Sequence, residues 1–66
     1  MFYEKLKEAR LNKGYSQMKL ARLLGVNRAT YLVWEYGAGM PKPQNMEKLL
    51  EVLPELKNES QWNKVI

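Results

Sequence analysis

Cysteine and histidine are both absent from this 66-residue chain. Without cysteine there is no disulfide and no thiolate metal site to hold a small core together, so helix packing has to suffice. Without histidine, and with seven acidic residues dispersed along amphipathic surfaces, the chain lacks the usual apparatus of general acid–base catalysis and of metal binding. No glycine-rich phosphate loop is present, and neither an enzyme activity nor a cofactor is expected. Long apolar runs are missing too. The longest, Tyr31 to Trp34, falls far short of the roughly 20 residues a membrane span requires. The N-terminal MFYEKLKEAR carries charges where a signal peptide needs an apolar stretch, which argues for a soluble protein in the cytoplasm. No membrane partner and no small-molecule substrate are expected. The length allows one domain, spanning residues 1–66, with no room for a separate cleavage or ligand-sensing domain.

What the chain does hold is charge with a bias. Residues 1–36 carry seven cations against three carboxylates, whereas residues 37–66 carry four of each, so the whole net charge of +4 lies in the first part. That asymmetry is the footprint of a polyanion-binding face. The apolar fraction, 45%, supplies enough Leu, Met, Val and aromatic side chains for an all-helical core of modest stability.

Helix signals place four segments. Phe2, Leu6 and Ala9 recur at helical spacing with Gly14 as a stop, which predicts a first helix over about 2–12, with Tyr15 at the joint. Ser16 is an N-cap candidate before Leu20, Leu23 and Leu24, and Gly25 stands where a left-handed residue ends the second helix. Asn27 is the next N-cap candidate. Tyr31 and Trp34 then mark the inward face of a third helix, roughly 28–36, before Gly37. Ala21, four residues ahead of Gly25, is small enough to let the third helix approach. The stretch AGMPKP reads as a loop, and Pro43 suits the first turn of a fourth helix over about 43–53 with Met46, Leu49, Leu50 and Leu53 as its core face. Beyond Pro54, residues Leu56, Trp62, Val65 and Ile66 predict a final short helix or an extended tail, available either to the core or to a second subunit.

The motifs L-K-E-A-R at 6–10, S-Q-x-x-L-A at 16–21, L-G-V-N-R at 24–28 and W-E-Y-G at 34–37, with Pro41 four residues on, follow one another in a specific order. Over about residues 5–53 the chain resembles the phage repressor and Cro type (Xre family) of helix-turn-helix protein. The resemblance implies an all-α, lambda-repressor-like bundle of four or five helices. It also implies a DNA-binding transcriptional regulator, a small repressor or Cro-like protein that binds a double-stranded inverted-repeat operator in the major groove as a homodimer. The alternative is a protein-interaction module of the same fold, such as an antitoxin or a regulator of a repressor.

The implied DNA contacts are Ser16 and Gln17 at the start of the second helix, Asn27, Arg28, Ala29 and Thr30 at the start of the third, Val33 and Tyr36 further along it, and Lys42 in the following loop. Gln17 matches a glutamine that meets a phosphate together with free backbone N–H groups. Arg28 can read guanine O6 and N7 with its guanidinium fork, and Ala29 can meet a thymine methyl. Leu32 and Val33 depart from the family pattern, being apolar where polar residues are common. Arg10 and Glu35 stand where the family places a structural ion pair, so neither is expected to touch DNA. The fourth helix and the C-terminal segment are the expected dimer contact.

Overall fold

A computed structural model describes residues 1–58. The expected roles of Trp62, Val65 and Ile66 fall outside the described residues. Among the described residues four α-helices and a 3-10 turn follow in order: α1 (Phe2–Asn12), α2 (Gln17–Leu24), α3 (Arg28–Glu35), α4 (Pro43–Val52) and the turn Pro54–Asn58. Packing joins α2 to both α3 and α4, and α1 to α3 and the 3-10 turn, around one apolar core.

The ends of the helices follow from local chemistry. Ser16 and Asn27 are both extended, and each side-chain oxygen accepts a backbone N–H three residues on: Lys19 N to Ser16 Oγ at 3.0 Å and Thr30 N to Asn27 Oδ1 at 2.8 Å. At the other end α1, α2 and α3 close with the same device. The residue after a left-handed glycine donates back five positions: Tyr15 N to Arg10 O at 3.2 Å, Val26 N to Ala21 O at 3.0 Å and Ala38 N to Val33 O at 3.0 Å. Gly25 (φ +74°) thus ends α2 and turns the chain into α3 within three residues, Gly25 to Asn27. Gly37 (φ +81°) has a second reason to be glycine, because an added Cβ would lie 2.8 Å from Cδ1 of Tyr3.

The core contains Phe2, Leu6, Ala9, Leu20, Ala21, Leu24, Tyr31, Trp34, Met46, Leu49, Leu50, Leu53 and Leu56. Each fully buried leucine contributes about 2 kcal/mol of transfer free energy before entropy is counted. One expected core residue is absent from this set. Leu23 is 47% exposed, and helical geometry explains why. Leu20, Ala21 and Leu24 centre the buried face close to Leu24, and Leu23 lies about 100° round the helix from it. Ala21 takes the place, buried on the inward face of α2. α4 ends at Val52, one residue before the expected limit, and Leu53 remains buried just beyond it. Lys48 on α4 donates to Leu24 O at 3.4 Å, adding a cation to the negative end of α2.

Candidate nucleic-acid interface

The connection Gly25 to Asn27 brings the N-terminus of α3 beside that of α2. Arg28 Nη2 donates to Gln17 Oε1 at 3.4 Å, so the first residues of the two helices touch. Around this contact Ser16, Asn27, Arg28, Ala29 and Thr30 are exposed, while Gln17 is half-buried.

Along α3 the buried residues Tyr31, Trp34 and Glu35 define the inward face. Ala29, Val33 and Tyr36, spaced by four and three, fall on the opposite side as one outward stripe. Val33 is 42% exposed and Tyr36 is 69% exposed. Leu32 does not share that stripe. It lies about 100° from Tyr31, on the flank of the helix, where it is half-buried against the core. The departure from a polar outward face therefore reduces to Val33, whose Cγ1 would stand 3.2 Å from a Cβ added at Gly39 in the following loop. Lys42 is exposed at the N-cap of α4 and makes no side-chain cap.

Behind this face lies a buried polar network. Arg10 donates from Nε to Glu35 Oε2 at 3.0 Å and from Nη2 to Glu35 Oε1 at 2.9 Å, a bidentate ion pair joining α1 to α3. Its third donor, Nη1, reaches the carbonyl of Tyr15 at 2.8 Å. The Tyr31 hydroxyl donates to Glu35 Oε2, and Gln17 Nε2 donates to Glu35 Oε1 at 3.2 Å. Three side chains, one from each of α1, α2 and α3, therefore share one carboxylate.

The titration behaviour follows from these contacts. Burial by itself pushes the Glu35 carboxyl up, but hydrogen bonds from Arg10, Tyr31 and Gln17 with the Arg10 charge outweigh it and hold the group below the ordinary carboxylate range. The hydrogen bond to Glu35 raises Arg10 against the opposing cost of burial. Burial, then the hydrogen bond to Glu35 and its negative charge, push the Tyr31 phenol far above its usual value. At neutral pH the network is an ion pair with a neutral phenol and amide. Its two opposite charges cancel in the interior, so the excess positive charge of residues 1–36 belongs to exposed side chains, namely Lys5, Lys7, Lys13, Lys19, Arg22 and Arg28.

Two of these roles go beyond what the sequence reading assigned. Tyr31 reads as a core residue, yet its hydroxyl is spent on Glu35; the separation of four on one helix is the only local hint. Gln17 reads as a surface residue available to a phosphate, and its amide has two protein partners as well, Glu35 on the partly buried side and Arg28 on the exposed side. Among the described residues no group of His, Cys, Asp or Glu is placed to hold a metal ion, and no helix is long and apolar enough to cross a membrane.

A helix-turn-helix family model matches residues 6–56, which takes in every helix after the first turn of α1. The chain is similar to the SPbeta prophage-derived uncharacterized HTH-type transcriptional regulator YonR of Bacillus subtilis. Identity is 42% over 53 residues, covering 80% of this chain and 49% of that protein. It is also similar to the cryptic phage CTXphi transcriptional repressor RstR of Vibrio cholerae, 33% identical over 67 residues, with 96% of this chain and 60% of that protein covered. The chain thus spans about half the length of the first relative and three-fifths of the second. No solved structure matches it.

Proposed function

The chain belongs to the phage repressor and Cro type (Xre) helix-turn-helix family, and from that membership we propose that it is a sequence-specific, DNA-binding transcriptional regulator acting as a small repressor or Cro-like protein. The observation that carries this reading is the joined pair of helix starts. Exposed Arg28, Ala29 and Thr30 lead α3 and abut Gln17 at the start of α2, while the Arg10–Glu35 network locks both helices from behind. α3 enters the major groove, with Arg28 on a guanine and the apolar Ala29 and Val33 toward thymine methyls. Backbone N–H groups at the start of α2, with Ser16, Gln17, Asn27, Thr30, Tyr36 and Lys42, meet sugar and phosphate. Two copies of the chain on an inverted repeat set half-sites about 34 Å apart. The role requires no catalysis and places the protein in the cytoplasm with its DNA.

Selection of binding sites from random duplex DNA, followed by a salt titration on the selected site, tests the proposal. Enrichment of an inverted repeat is expected, with affinity falling about a thousandfold between 50 and 200 mM salt if some six phosphates are neutralised. Flat salt dependence with no enriched sequence would overturn it. A second reading, a protein-interaction module, draws support from the exposed apolar side chains Val33, Tyr36 and Met40 on α3 and the loop after it. That reading predicts a protein complex that survives moderate salt and competes with no duplex.

A further inference from the structure

Gly39 differs from the other three glycines of the chain. Gly14, Gly25 and Gly37 have positive φ, which accounts for the residue type, whereas Gly39 does not. What its missing side chain provides is space. Chain neighbours aside, the one atom of the described residues within 4 Å of a Cβ added there is Cγ1 of Val33, at 3.2 Å. That is inside the roughly 3.5–4.0 Å optimum for carbon contacts. The loop has little room to retreat. On one side of Gly39, Ala38 N donates to Val33 O at 3.0 Å; on the other, Pro41 is buried and restricts the backbone of Met40 before it. Val33 is confined as well, being the sixth of the eight residues of α3, where a β-branched side chain has one strongly preferred χ1. A methyl group at position 39 therefore displaces Cγ1 of Val33 or turns the side chain into a poorer rotamer. Because Val33 stands in the outward stripe of α3, the space over Gly39 sets where an apolar side chain meets the groove.

We propose that Gly39, in the loop beyond the helix-turn-helix, is a positioning residue: by carrying no side chain it seats the Val33 methyl, and recognition of the thymine methyl facing Val33 depends on it. This rests on the reading of α3 as the groove-entering helix and of Val33 as a base contact. Contact between two methyl groups is short-ranged, so a gap forfeits the attraction and an overlap replaces it with repulsion. Displacement in either direction weakens the preference for thymine.

The test uses the full chain on its selected site, with thymines replaced one at a time by uracil. That change removes the C5-methyl group and keeps the hydrogen-bonding groups of the base. Val33→Ala identifies the thymine that Val33 meets, as the one whose replacement ceases to matter. In the parent that replacement is expected to weaken binding about threefold, the scale of burying one methyl group. Gly39→Ala is expected to lose most of this factor at the same thymine, with the response at other thymines kept. In the Val33→Ala background Gly39→Ala is expected to change nothing there, because Cγ1 is already gone. If Gly39→Ala does not fold by itself, recovery of the fold in the Val33→Ala background would support the contact, and failure in both would overturn it. A threefold factor untouched by Gly39→Ala, or equal weakening on all duplexes, would overturn the seating while leaving the DNA-binding reading intact. So would a site with no uracil-sensitive thymine that depends on Val33. A parent protein that selects no sequence would overturn both, and is recognised because the failure appears before any substitution is made.

Discussion

Arg10→Leu removes three donors in one step. Nε and Nη2 hold both oxygens of Glu35 at 3.0 and 2.9 Å, and Nη1 holds the carbonyl of Tyr15 at 2.8 Å. After the substitution Glu35 keeps only two neutral partners, the Tyr31 hydroxyl and the Gln17 amide. Because Glu35 is almost fully buried, its carboxylate either stays charged without a counter-charge or takes up a proton. Breaking a buried pair from one side costs about 3 to 5 kcal/mol. A domain of this size holds about 3 to 5 kcal/mol in all. The loss is comparable to the whole stability, and Arg10→Leu is expected to be largely unfolded at 25 °C when followed by far-UV circular dichroism in urea. The physical cause is separable. Replacing Arg10 and Glu35 by Leu together with Tyr31 by Phe removes charge, partner and the hydroxyl that would be orphaned, and most of the stability is expected to return. A midpoint for Arg10→Leu equal to that of the parent would show that the pair is effectively solvated. A triple variant as unstable as the single one would show that side-chain packing, and not an uncompensated charge, carries the effect.

The same network sets the response to pH. Glu35 titrates below its unfolded value of about 4.3, so its contribution is present above that pH and is lost as pH falls through the lower folded value. Tyr31 titrates above its unfolded value, so its contribution is present below about pH 10 and declines above it; Tyr31→Phe should remove the alkaline decline in a urea-midpoint series. Gly37→Ala meets both a positive φ and the Tyr3 ring 2.8 Å away, whereas Gly14→Ala meets a φ of +75° in open space. Thermal melts should show a cost of about 1 kcal/mol at Gly14 and at least twice that at Gly37, and equal costs would discount the Tyr3 contact. Ser16→Ala and Asn27→Ala should each lower stability by about 1 kcal/mol without DNA present, through loss of a helix cap. Unchanged melts would mean that these side chains are free for other partners.

Much of the fold was legible because its signals are local. A cap such as Ser16 or Asn27 acts on an N–H three residues away, and a left-handed glycine acts on the two residues beside it, so both leave their mark within one turn of sequence. The core face of α4 follows from periodicity alone, and Met46, Leu49, Leu50 and Leu53 are all buried as their spacing predicts. Periodicity was less reliable on the shorter helices. In α2, of eight residues, Leu20, Leu23 and Leu24 fit a helical stripe equally well, and only packing against α3 and α4 decides that Leu23 faces out. Lys48 left no trace at all, since the carbonyl it caps is 24 residues away.

The sequence by itself determined the order and limits of the helices, the glycine turn and the positive bias of residues 1–36, because each depends on backbone preference or on a sum of charges. Membership of the helix-turn-helix family was likewise written in motifs of a few residues each. Only the tertiary structure decided how Gln17 is connected to Arg28 and to Glu35. Gln17 stands 18 positions from Glu35 and 11 from Arg28, and no local rule relates them. Their meeting is set by the angle at which α3 crosses α2, and that angle is fixed by the core beneath and by the Arg10 pair behind. A side chain's polar partners are chosen by distance in space, and for a residue at the start of a helix the relevant neighbours lie on other helices.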